Sequence, residues 1–201
     1  MLALAGQLRI QAHANRLANH RLHVAMAALS AEDFHAPRTS FFPSLAATLN
    51  HILAIDEYYI GALHGDAELP RLYRSFVPAA TLAELRARQQ ASDERLVAWC
   101  DALDDAGCDA MIAMDRGEHV QRDRAAHVLA HLFMHQTHHR GQVHAMLSST
   151  RIAPAMASCP NSGWELWALR PWTVMSQRIT PLCWRMGCNR VGSPITARAN
   201  G

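Results

Sequence analysis

Along the first 150 positions the apolar residues recur at the spacing of helices rather than strands. Leu8, Leu22 and Met26 share one stripe of a helix predicted over about Leu2 to Leu29. Ser30 to Phe34 follows as a short helical turn, ended by Pro37. Pro43 and Ser44 open a second long helix that continues to about Leu63, where Gly65 supplies a stop. Thr81-Leu82-Ala83-Glu84 has the capping-box pattern and starts a third, reaching about Leu103. Asp123 is the predicted N-cap of a fourth, running to about Leu147. Between the last two, Met111 to Gln121 has a turn at Arg116-Gly117 and predicts a small hairpin. Four helices of roughly 20–28 residues with modest connections predict an all-α fold, a four-helix bundle over residues 1–154.

Beyond that point the pattern is lost. Residues 1–150 hold 13 Arg against 16 acids, whereas residues 151–201 hold 6 Arg against the single acid Glu165. Four of the five Trp lie in that last stretch, and Pro171 and Pro181 break any helix there. Residues 155–201 therefore read as an irregular Arg- and Trp-rich extension, either a docking segment or coding sequence read out of frame. The whole chain has no lysine, and its net charge is +2 with the arginines scattered, which argues against a nucleic-acid reader. No run of eighteen apolar residues predicts a membrane span, and Met1 to Ile10 lacks the plan of an export signal. Five irregularly spaced cysteines suit a reducing compartment, so the expectation is a cytoplasmic protein.

Thirteen histidines change the picture, because six of them lie between His127 and His144. At about 100° per residue, taking His135 as zero, Val128 and Met146 fall about 20° away, His139 about 40° and Leu132 about 60°. His135 and His139 thus belong to the stripe that faces the core. His131 and His138 lie on its flank, His127 further round, and His144 about 180° away in water. On the second helix Ile55, Tyr58 and Ala62 lie within about 40° of His51, so His51 points inward, while Asp56 is about 140° away. Asn15 and Asn19 share the stripe of Leu8, Leu22 and Met26 and need partners there.

Histidines at i and i+4 can turn both imidazoles onto one ion, and a third ring from a facing helix completes a tripod with coordination positions left open. Imidazole suits zinc, nickel, iron or copper alike. The alternative is a set of hydrogen-bonded core histidines, since the i,i+4 spacing recurs through His127, His131, His135 and His139 without any metal being required. Gln136 stands where the His-Glu-x-x-His proteases have their glutamate, so that mechanism is excluded.

His135-Gln136-Thr137-His138-His139-Arg140-Gly141-Gln142 closely resembles the H-x-x-x-H-R-G-Q signature of the DinB family, the DinB/YfiT-like metalloenzymes. Asn50-His51 with Asp56 is similar to that family's N-H-(x)4-D segment, and Asn15-Arg16-Leu17-Ala18-Asn19 to its N-x-W-A-N. The resemblance covers about residues 5–155. It implies a bundle with one divalent ion, zinc or nickel, held by His51, His135 and His139. Leu17 replaces the family's usual Trp, and Tyr59 stands where Trp is common. The tail departs from the short acidic, apolar ending usual in the family, which favours the frame-shift reading.

Relatives in that family include thiol-dependent S-transferases and a thiol-dependent maleylpyruvate isomerase. The resemblance therefore implies a metal-dependent enzyme that activates a low-molecular-weight thiol or water. The alternative is a non-catalytic, stress-associated metal-binding bundle. Gln142 is the candidate to support a ligand or touch substrate, with His138, His131 and Asn15 beside it. Arg140, about 140° from His135, is given no catalytic role. The partners expected are a small-molecule substrate and a second copy of the chain, with no nucleic acid and no membrane.

Overall fold

The computed structural model describes residues 3–152, so the predicted extension at 155–201 lies outside the described residues. Helix α1 spans Leu4–Met26, ending earlier than periodicity suggests. Its final residues tighten into single turns, Ala27 to Val24 and Leu29 to Met26, because Ser30 must be extended to cap α2 (Ala31–His35). Helix α3 is Leu45–His64. It starts under the Ser44 hydroxyl, which accepts from the Ala47 N–H, and stops at Gly65, whose φ of 72° lets its N–H return to the preceding carbonyls. A six-residue helix α4, Leu69–Arg74, was not legible in the sequence, being too short to show a period. Helix α5, Leu82–Asp101, opens on the predicted box: Thr81 accepts from the Glu84 N–H, and the Glu84 carboxylate accepts from the Ala80 N–H at 3.0 Å.

After a 3-10 turn at Gly107–Asp109, strands β1 (Met111–Asp115) and β2 (Val120–Arg124) pair antiparallel as the expected hairpin. Ile112 and Met114 of β1 turn inward. Helix α6 is Ala125–Leu147. The predicted cap is corrected: Arg124 occupies the N-cap, because pairing of Met111 with Arg124 keeps the chain extended one residue further. Asp123 stays in β2, and its carboxylate accepts from the Arg124 N–H and the His127 ring, both at 2.8 Å.

The four long helices pack side by side, α1 against α5 and α6, and α3 against the same two. Their interior has three zones. One apolar cluster gathers Leu8, Ile60, Leu96 and Leu129 with the hairpin's Ile112 and Met114; the other gathers Met26, Leu53, Leu85 and Leu147 with Phe34. Between them on every long helix lies a buried polar residue: Asn15 and Asn19 on α1, Asp56 on α3, Gln89 and Asp93 on α5, Gln136 on α6. Arg140 donates to Asn15, to Asn19 at 3.0 Å and to Gln136 at 2.9 Å. Gln136 and Gln89 both donate to Asp56, and Asn19 donates to Asp93 at 2.9 Å. Such a layer costs hydrophobic burial and leaves Asn15 Nδ2 and Asp56 Oδ1 without partners among the described residues, yet the bonds it does make form only when the four helices keep this axial register, so it fixes the heights at which other side chains meet.

Candidate metal centre

At the edge of this polar layer, His51 of α3 meets His135 and His139 of α6. One nitrogen from each lies within 4.8 Å of the other two. The ring centroids are 5.0 Å apart for His51 and His135, 4.7 Å for His51 and His139, and 4.4 Å for His135 and His139. His51 Nε2 and His135 Nε2 face each other at 3.0 Å. Three imidazole nitrogens around one tetrahedral ion at 2.0–2.1 Å stand about 3.3 Å apart, so the spacing fits the group with small side-chain adjustments.

The second nitrogens support the same reading. His139 Nδ1 donates to Gln142 Oε1 at 2.8 Å, which leaves Nε2 as the lone-pair donor and fixes the ring. The Gln142 amide in turn donates to His138 Nε2 at 3.2 Å. The buried Nδ1 of His135 has no hydrogen-bond partner among the described residues, so that ring is oriented by packing and by its Nε2 contact with His51. Phe42 covers one side of the cluster, its ring 4.4 Å from His51 and 5.7 Å from His139.

The three rings are neutral near pH 7. Burial, followed by the charges of His139, His51, His131 and His138, pushes His135 down to about 3. Burial and His139 lower His51; burial lowers His139, partly countered by the bond to Gln142. A neutral imidazole already presents the lone pair that a cation needs, so binding displaces no proton there.

Two of the rings lie less deep than the stripe analysis expected. His51 and His135 are half-buried and only His139 is buried. The deepest line of α6 runs through Leu129, Leu132, Gln136, Val143 and Leu147, about 100° round from His135, and that of α3 through Ile52, Leu53, Asp56 and Ile60. The apolar stripe is wide enough to carry histidines along its margin, where solvent reaches them. On the outer face of α3, Ala47 and Ala54 flank His51 and floor an open groove of about 490 Å³ walled by Phe76 and Pro78. His144 is likewise half-buried rather than in water, because α6 packs on both α1 and α3.

The signature residues therefore divide into two groups, one around the histidines and one in the polar layer beneath. A sequence profile of the DinB family matches residues 10–161. The chain belongs to the DinB family. No curated protein matches it. In this DinB-family chain Gln142 lies against His139, His138 lies on the exposed side of Gln142, and the His131 ring stacks on His135 at 6.1 Å. Asn15 is not brought to the histidines: it accepts from Arg140 inside the polar layer. Sequence reasoning missed Gln136, which is fully buried, and the pair Gln89 and Asp93. Their signal was polar residues at core spacing, the argument already applied to Asn15 and Asn19. Phe42 gave no signal, since it lies in a loop with no period.

Proposed function

We propose that this DinB-family protein is a divalent-metal-dependent enzyme that activates a low-molecular-weight thiol, with water as the alternative nucleophile, on an ion held by His51, His135 and His139. The observation that carries the reading is the convergence of three neutral imidazoles at the half-exposed margin of a helix bundle. Among the described residues no fourth His, Cys, Asp or Glu joins them, which favours an open site over a closed structural one. Zinc or nickel suits the donor set. A divalent ion bound there lowers the pKa of a thiol or a water molecule and so supplies a nucleophile at neutral pH.

The chain's own contribution is positioning and proton handling. Gln142 holds His139 with its Nε2 turned toward the other rings. Phe42 excludes water from one side of the cluster and leaves the other open. His131 and His138, both exposed beside the ligands, are placed to take up the proton that a thiol or water releases. The protein is also expected to act in the cytoplasm and as a homodimer.

The test is the metal content of purified wild-type protein against His135→Ala, followed by thiol transfer to an electrophile and ester hydrolysis. Loss of the metal with loss of activity is expected. Unchanged metal content in the variant refutes the ligand assignment. Metal binding without either activity leaves a non-catalytic metal-binding bundle.

A further inference from the structure

The rim that leads away from His135 carries positive charge with no carboxylate paired to it. Arg116, in the hairpin turn, forms no ion pair among the described residues. Its guanidinium lies 5.0 Å from the ring centre of Tyr58 and 5.3 Å from that of Tyr59. Nη2 donates to the Tyr59 hydroxyl and to Gln121 Oε1, both at 3.1 Å, and Nε to the same Gln121 oxygen at 3.3 Å. The Tyr58 hydroxyl also sits against the guanidinium and favours its charged form, and no carboxylate accepts from Nη1 among the described residues. Arg74, likewise unpaired there, lies beside the same turn: a Cβ added to Gly117 would meet its Nη1 at 3.0 Å. The nearest acids of the turn are otherwise oriented or exposed, Asp115 accepting from the Gly117 N–H and Glu118 facing solvent.

This cationic turn connects to the histidines through touching rings. Tyr59 lies 5.1 Å from His131, and His131 lies 6.1 Å from His135 in a stacked arrangement. We propose that Arg116, backed by Arg74 and Tyr59, binds the carboxylate of a small organic acid whose reacting end lies at the three histidines. A guanidinium fork held against two aromatic rings suits a planar carboxylate, and the ring faces of Tyr59 and His131 offer a path for the stem between the two ends. This deepens the proposed function and rests on it only for the reacting end: the substrate thiol or its electrophile is an anion, not a neutral molecule.

The experiment uses the full-length protein in two arms. In the first, the metal-free protein is titrated with hexanoate and with hexanamide while the Arg116 Nε–H and Tyr59 ring resonances are followed by NMR. Saturable shifts with hexanoate and none with hexanamide are expected; equal response, or no response, overturns the assignment whatever the metal does. In the second, cobalt-loaded protein is titrated with mercaptohexanoate and its primary amide through the thiolate-to-metal absorption band. The acid is expected to bind about tenfold tighter than the amide, a preference that Arg116→Gln abolishes with metal content unchanged. No preference in the wild type, or one retained in the variant, refutes the proposal. A wild type that takes up no cobalt refutes the metal reading instead, and the first arm still decides this one.

Discussion

Replacing Arg140 with methionine tests the polar layer that sets the height of the histidines. The guanidinium serves three acceptors of the layer, on Asn15, Asn19 and Gln136, besides a longer bond to Thr137 Oγ1, and its charge partly offsets the rise that burial gives the pKa of both Asp56 and Asp93. Methionine of similar length strands those acceptors at about 1–3 kcal/mol each, and because they share one donor the total stays near 3–5 kcal/mol. That is a large part of the ~5–15 kcal/mol expected for a domain. The loss must also depend on pH. Burial raises Asp93 to about 6 despite the donors Asn19 and Gln89, so the folded state binds the extra proton between about 3.8 and 6. The ionised carboxylate therefore costs about 3 kcal/mol above pH 6 and nothing below the unfolded value. Removing Arg140 raises Asp93 further, so the deficit of Arg140→Met grows with pH. Urea unfolding at about pH 5 and about pH 8 reads both effects, and Arg140→Lys, which keeps the charge, is expected to recover about half the loss. A loss under about 1 kcal/mol, or one equal at the two pH values, refutes the role given to the layer.

His23 supplies the opposite pH dependence. It is 4 % exposed with its Nδ1 unpartnered, and burial, then Arg86 and His20, push it down to about 4. Its folded pKa lies below the unfolded 6.5, so its stabilising contribution is present above that value and about 3 kcal/mol is lost as pH falls toward 4. His23→Leu is expected to flatten that part of the profile in urea titrations, and parallel curves for the two proteins would argue against it. Gln142→Ala frees the His139 ring and is expected to weaken metal binding about 10–100-fold in competition with a chelator, leaving the melting temperature of the metal-free protein unchanged. Gly117→Ala meets a φ of 92° and the Arg74 guanidinium, and a loss of about 1–2 kcal/mol by thermal melting is expected; full retention of stability would show that the turn adopts another conformation.

The helices were legible because their signals are local. Ser44 and Thr81 cap from within one turn, Gly65 stops α3 by its own φ, and Arg116-Gly117 turns the hairpin in four residues. Asp123 failed as a cap for a non-local reason, since strand pairing across the hairpin competes for the same backbone. The helical period also brought His135 and His139 onto one side of α6 and turned His51 toward a neighbouring helix. It could not say how deep those residues lie, because a period gives an angle around one axis and no distance to another.

What the linear order of residues determined here is therefore the set of rods, the ends of most of them, and which histidines could share an ion. Tertiary packing alone decided the rest: that Asn15 belongs to Arg140 and not to the histidines, that Gln136 and Asp93 join one buried layer, and that Phe42 covers the cluster. It also placed Tyr59 and Arg116, far apart along the chain, on a single rim. Each of these is a contact between separate elements, and its energy exists only once the apolar clusters above and below have fixed the helices against one another.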